Sequence, residues 1–319
     1  MELNPDIIAA FALLATHGIG RVAFARMRAA VDRVGRDLTW LLESSMQERL
    51  AVLGDPAAPE VLLPERCGER ERRHAEDWAR QLDLARIPVR LRGAPGYPRD
   101  LERFLGDAAP PFLCMLGDER WDAPRAGVVG ARQAQARGLA LARQCGAAFA
   151  EMGATVVSGG ADGVDLAAHR GAVLEGGGTV VVLPQGILGY APPRWLWEAV
   201  RNGRGLIVSE WLPTAPWSTA EAVTRNATIS ALSRAVCVIE PRKTGGSVRT
   251  ARVAIAQGKP VFVEAAPGAR SVADALMHGG ARPLAGADGR VCVDALRAAV
   301  AQPPSGRGLQ LDLPDRTDA

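Results

Sequence analysis

Short apolar runs in this chain end repeatedly in glycine-containing turns whose residues are able to hold an anion. The richest is Ser158-Gly159-Gly160-Ala161-Asp162-Gly163-Val164-Asp165, placed between a β-branched run and an amphipathic one. Glycines at such a junction let backbone N–H groups come close to a phosphate, and the helix that follows adds N–H donors and the positive end of its dipole. No Gly-Lys-Ser/Thr follows, so the turn is not a Walker A loop. Asp165 and His169 are spaced to share a helix face. They suit an acid–base pair or, the simpler reading, a cap at the helix start with a histidine packed beneath the loop. No nucleophile or metal-ligand partner accompanies them.

Other turns repeat the theme. Val129-Gly130-Ala131-Arg132 puts a guanidinium just beyond a strand end; alone it reads equally as a plain turn with a surface arginine. Pro184-Gln185-Gly186-Ile187 with Tyr190, and Ser209-Glu210, end two more strands. Arg225-Asn226 is expected to start a helix, with Arg225 directed at the loops. Gly245, Gly246 and Ser247 open another, beside Arg242, Lys243 and Arg249, which makes a second helix-N-terminal anion site. Several phosphate-binding turns on one sheet edge suit a polyphosphate or a nucleic-acid backbone better than one small metabolite.

The elements that must position these residues have a regular grammar. Residues 1–85 read as a small helical module: apolar residues recur at three and four through 6–53, broken at Gly18-Ile19-Gly20, and a charged helix covers 65–85. From 86 to 302, strands at 87–91, 126–129, 155–157, 179–183, 205–209, 235–240 and 260–264 alternate with helices near 137–151, 163–175, 194–201, 225–232 and 247–257. This predicts an α/β domain with a doubly wound, mostly parallel sheet covered on both faces, its ligand beyond the carboxyl ends of the strands. Residues 303–319 lose periodicity and read as a flexible tail.

Composition sets outer limits. The 319 residues are 48% hydrophobic and 23% charged, with a net charge of +3 from 38 basic and 35 acidic residues. A basic site must therefore come from local clustering. Five dispersed cysteines argue against a disulfide framework or zinc site and suggest a reducing cytosol. No signal peptide or membrane span is expected, and neither metal nor cofactor is called for. Aromatic residues make up only 5%, which predicts backbone recognition with limited base stacking.

Taken in order, these motifs resemble the DNA-processing protein A (DprA/Smf) family. The resemblance covers about 93–267: Tyr97-Pro98-Arg99-Asp100-Leu101, Pro110-Pro111-Phe112-Leu113, Val129-Gly130-Ala131-Arg132, the stretch Ser158 to His169, Ser209-Glu210, Arg225-Asn226 with Leu232-Ser233, and Gly246-Ser247 with Thr250-Ala251. It implies an extended Rossmann-like fold with a small N-terminal all-helical domain (SAM or helix-hairpin-helix-like). It also implies a cytoplasmic homodimer without enzymatic activity that binds single-stranded DNA and loads the recombinase RecA in natural transformation. Carried over by motif, Arg132, Ser158, Gly159, Arg225, Asn226, Gly246 and Ser247 would bind DNA phosphates, with Arg132 and Arg225 as the principal cations; Gly130, Gly160, Lys243 and Gly245 of the same turns would join them, with Asp165 and His169 in support. The sequence departs from the family pattern at Ala227, where a second arginine is usual, at Val223-Thr224 in place of Phe-Pro, and at Ile187-Leu188 in place of Leu-Asp. Only the short tail follows the resembling region, so a divergent member lacking the C-terminal winged helix is expected.

Two rivals remain open. A nucleotide-hydrolysing enzyme of the lysine-decarboxylase-like Rossmann group would carry PGGxGTxxE; here Gly245-Gly246-Ser247 lacks the following acid, though Glu210 and Glu240 stand nearby in the strand-end turns. A nucleotide-binding sensor would use the same loops. In the tail, Gln310-Leu311-Asp312-Leu313-Pro314 resembles peptides that bind the DNA sliding clamp: Gln310 would hydrogen-bond while Leu311 and Leu313 fill apolar pockets, unless those leucines pack on the parent domain.

Overall fold

The structure, a computed structural model, describes residues 4–55, 58–119, 121–243, 245–265 and 270–303. The clamp-peptide residues Gln310, Leu311 and Leu313 lie outside them. Six helices come first: α1 (Pro5–Ala15), α2 (Arg21–Arg33), α3 (Leu38–Glu43), α4 (Met46–Leu53), α5 (Pro59–Leu62) and α6 (Glu69–Leu84). Local chemistry sets several of their starts. Asn4 and Asp37 cap α1 and α3 with side-chain oxygens, and Ser45 and Glu48 form a reciprocal capping box on α4. Buried Arg49 donates to the carbonyls of Leu41, Ser44 and Val61 and pairs with Glu65, tying α3, α4 and the turn before α6 together.

The alternating region follows as β1 (Val89–Leu91), α7 (Arg99–Leu105), β2 (Phe112–Gly117), β3 (Arg125–Gly130), α8 (Ala136–Glu151), β4 (Thr155–Ser158), α9 (Val164–Leu174), β5 (Thr179–Leu183), α10 (Arg194–Arg201) and β6 (Gly205–Ser209). It ends with α11 (Thr219–Leu232), β7 (Ala235–Ile239), α12 (Gly246–Ala256), β8 (Val261–Val263), α13 (Arg270–His278), β9 (Arg282–Pro283) and α14 (Val293–Ala301). The strands form one sheet in the order β1-β2-β6-β5-β4-β3-β7-β8-β9. Every neighbouring pair from β6 to β9 is parallel, and β2 runs antiparallel to both β1 and β6. β5, β6 and β7 are buried at every position, the signature of strands covered on both faces. The strand order reverses at β3, so the carboxyl ends of β3, β4 and β7 converge where such sheets bind ligands.

One face of the sheet packs against α7, α11, α12 and α13. The other is divided: α8, α9 and α14 cover β3, β4, β7 and β8, while the N-terminal helices and α10 cover β2, β5 and β6. Phe11 of α1 meets Phe112 of β2 edge to face, with ring centroids 5.0 Å apart. The helical module therefore shares one apolar core with β2, β5 and β6. An ion pair crosses the same junction: Arg21 Nη2 lies 3.4 Å from Glu210 Oε1, and the Arg21 guanidinium stacks on Trp211.

The structure departs from the sequence expectations at three places. The helix placed at 225–232 begins at Thr219, so Arg225 lies in its second turn and does not start it. The antiparallel strand β2 was not anticipated at all, because FLCMLG after two prolines has no alternation to separate strand from buried helix. The helix expected at 65–85 is shorter, starting at Glu69.

Candidate nucleic-acid interface

α11 carries two of the site residues and is fixed at both ends. Ser218 caps its start by accepting the Glu221 N–H at 3.1 Å. At its end, the buried Lys259 ammonium donates to the Ser230 and Ala231 carbonyls at 2.6 and 2.9 Å, and Arg125 Nε donates to the Leu232 carbonyl at 2.8 Å. This fixation sets where Arg225 and Asn226 point.

Arg225 reaches the glycine-rich loop from below. Its side chain is buried, Nη1 donates to the Val182 carbonyl at 2.9 Å, and a Cβ at Gly159 would fall 1.6 Å from Nη1. Only glycine at 159 leaves space for the guanidinium. Burial lowers the Arg225 pKa and the nearby Arg132 charge adds to that, while Asp165 and Glu210 oppose it. Arg225 thus reaches the loops as expected, but its burial suits holding the loop more than gripping a phosphate from solvent.

Asp165 is the anion that the loop itself supplies. Its buried carboxylate accepts the Gly159 N–H at 3.1 Å. Burial raises its pKa, against the Arg225 charge, the nearby Ser158 hydroxyl and hydrogen bonds from the Gly159 and Ala161 backbone. Asp165 does not cap its own helix, as its place at the helix start suggests; its donors come from the preceding loop. The α9 start has no side-chain cap, and its Val164 N–H donates to the Ala131 carbonyl at 3.1 Å, joining the β3 and β4 loops. Gly163 permits that junction at φ +86°, since a Cβ there would strike the carbonyl oxygens of Ala131 and Arg132. His169 is fully buried, its Nδ1 hydrogen-bonded with Thr179 Oγ1 at 2.5 Å, and burial drives its imidazole down to about 3. It packs beneath the loop as a neutral group, which leaves the acid–base reading without a titratable partner near neutrality.

Arg132 is the exposed cation of this cluster. It extends past Gly130, whose missing Cβ makes room for Val164 and the Ile239 carbonyl, and lies over the Trp217 ring with Cζ 5.4 Å from the centroid. Across the switch point, Asn226 Nδ2 sits against Gly246, where a Cβ would be 2.7 Å away. The α12 start at Gly245 and Gly246 has no side-chain cap, with Ser247 half-buried and Arg242, Lys243 and Arg249 exposed around it. Through α11 the structure joins Arg132, Gly159, Arg225, Asn226 and Gly246 into one rim. Ser158 is buried at its base, donating its hydroxyl to the Val128 carbonyl. Gly160 follows at φ +68°.

The two acids of the hydrolase reading have structural partners. Glu210 is buried, ion-paired with Arg21 and accepting from Thr228 Oγ1. Glu240, at φ +47°, accepts the Gln135 N–H at the start of α8. Ala227, on the core-facing side of α11, is buried, so this departure from the family pattern falls at a packing position. Among the described residues no group of three His, Cys, Asp or Glu is placed to hold a metal ion, and no helix is long and apolar enough to cross a membrane. Trp217 carries no sequence signal of its place at the rim: its exposure beside Arg132 depends on long-range packing that no local motif reports.

The family model described as DNA recombination-mediator protein A matches residues 89–288. The chain is 33% identical over 202 residues to protein Smf of Synechocystis, covering 60% of this chain and 50% of that one. In three dimensions it is similar to DNA processing protein A from Streptococcus pneumoniae, with TM-score 0.70 and 23% identity over 91% of this chain and 97% of that one. The Helicobacter pylori DNA processing protein A, solved for its single-stranded-DNA binding mode, matches with TM-score 0.56 and 23% identity over 67% and 95%. The chain spans about half the length of the first curated relatives it matches.

Proposed function

This chain belongs to the DNA recombination-mediator protein A family, and on that footing we propose that it binds single-stranded DNA along the carboxyl edge of its sheet without transforming it chemically. The observation that carries the reading is the joined rim: exposed Arg132 on one side, the uncapped α12 start with Arg242, Lys243 and Arg249 on the other, and α11 linking them. One phosphate needs one such turn; a chain of phosphates needs several in line. Arg132, Lys243, Gly245, Gly246, Ser247 and Asn226 contact the backbone in this account. Gly130, Ser158, Gly159 and Gly160 give it close approach, and Arg225, Asp165 and His169 hold the loop. The ligand class also fits the Helicobacter pylori relative, whose structure concerns single-stranded DNA.

The finer parts of the proposal rest on the family. The protein acts in the cytoplasm as a homodimer and hands its DNA to RecA during recombination or transformation. Mixing the purified protein with RecA and DNA, and measuring filament formation on pre-coated strands, tests that step. Contact with the sliding clamp through Gln310, Leu311 and Leu313 is a separate proposal, tested by binding of the tail peptide with Gln310→Ala and Leu313→Ala controls.

Fluorescence anisotropy with labelled single- and double-stranded oligonucleotides tests the function directly. Single strands should bind more tightly, and excess nucleoside monophosphate should neither displace them nor release free base. Saturable nucleotide binding with no oligonucleotide binding would establish the sensor reading instead, and released base the hydrolase.

A further inference from the structure

We propose that Trp217 is a stacking platform for a nucleobase of the bound strand, next to the phosphate held by Arg132. This deepens the single-stranded-DNA reading and rests on it. Of the seven tryptophans in the chain, Trp217 is 48% exposed and stands at the rim. Its neighbour Trp211 is the instructive contrast: buried, its indole N–H donating to the Leu183 carbonyl at 3.2 Å and its ring beneath Arg21. Trp211 has its place in the fold; Trp217 presents an indole to solvent with a guanidinium as its ring partner.

The loop around it is built firmly. Gly186 N–H donates to the Ala215 carbonyl at 2.9 Å, Leu188 N–H to the Pro213 carbonyl at 3.0 Å, and Trp78 Nε1 to Thr214 Oγ1 at 2.9 Å. Ser218, the next residue, is the cap of α11. Trp217 is thus held between two fixed points, and an aromatic that is already positioned loses little freedom when a base stacks on it. In a single strand each phosphate is followed by a base, so a cation beside an indole face matches the repeat of the ligand. Every base has a π-face, so such a platform contributes affinity with little sequence preference. The low aromatic content predicted little stacking; placement, more than number, decides it.

The test compares a labelled oligothymidylate with an abasic oligonucleotide of equal length, both titrated with wild type, Trp217→Ala and Trp217→Phe. Trp217→Ala should weaken the oligothymidylate complex roughly 5- to 100-fold, with the salt dependence unchanged and most of the loss recovered by Trp217→Phe. The abasic strand should bind wild type and Trp217→Ala equally. Equal oligothymidylate binding by wild type and Trp217→Ala would overturn the platform while leaving the phosphate reading intact. An equal loss on both strands would show that Trp217 only positions Arg132, and overturns it too. A wild-type protein that binds neither strand would sink both readings.

Discussion

Gly159 and Arg225 occupy one volume that a single further carbon would overfill: a Cβ at 159 would stand 1.6 Å from Arg225 Nη1. The glycine at this point of the loop is therefore required by a buried guanidinium as well as by the approach of a ligand. Gly159→Ala must push the loop and the arginine apart. The expected result is a stability loss of about 1–3 kcal/mol, typical of overpacking, with single-stranded-DNA affinity lowered by roughly tenfold, a 1.4 kcal/mol effect. Urea unfolding and anisotropy on one preparation check both numbers; a variant unchanged in both would show that the contact is unimportant.

Arg225 and Arg132 should separate stability from binding. Arg225→Ala strips the buried carboxylates Asp165 and Glu210 of a compensating charge. It should cost about 3–5 kcal/mol, as loss of one partner from a buried charge group does. Arg132 is exposed, and its replacement by alanine should leave stability within about 0.5 kcal/mol. Equal melting temperatures for the two variants would contradict the placement of Arg225 beneath the loop.

His169 predicts an acid-sensitive fold. Its imidazole is held at about 3 in the native state against an ordinary 6.5, so the unfolded chain takes up the proton first. Stability is full above pH 6.5 and falls as pH drops through the window from 6.5 toward 3. The slope from this group is roughly 1.4 kcal/mol per pH unit, or about 2 kcal/mol between pH 6.5 and 5. In His169→Asn that part of the acid loss should vanish. Parallel pH profiles for wild type and variant would mean that His169 protonates without strain.

Arg21 adds an ionic tie between the N-terminal helices and the sheet: it pairs with fully buried Glu210, on the far side of the core interface. Arg21→Ala should destabilise by about 3 kcal/mol and expose the segment between α6 and β1 to limited proteolysis. A loss under about 0.5 kcal/mol, with the cleavage pattern unchanged, would show that Phe11 and its apolar neighbours hold the module alone.

The parallel core was the most legible part of the sequence. Thr179–Leu183 and Gly205–Ser209 are β-branched or apolar runs ended by turn residues, and their bounds match the structure. The first turns of α11 were missed because Val223 and Thr224 weaken the helical pattern. Ser218 with Glu221 three residues on was a start signal that could have found them. The loops were correctly placed at strand ends, but burial was not legible: nothing local distinguishes the exposed Arg132 from the buried Arg225. The capping of α8 by Glu240, 105 residues from Gln135, is a tertiary contact outside the reach of any motif.

The central claim is that this rim grips phosphates, and the salt dependence of oligothymidylate binding measures it most directly. With several phosphates neutralised, the logarithm of the association constant should fall linearly with the logarithm of salt concentration, by roughly 0.7 per contact on a single strand. Arg132→Ala should flatten the slope by about one contact and weaken all sequences alike. A salt-independent affinity, or a slope that Arg132→Ala leaves unchanged, would contradict the account.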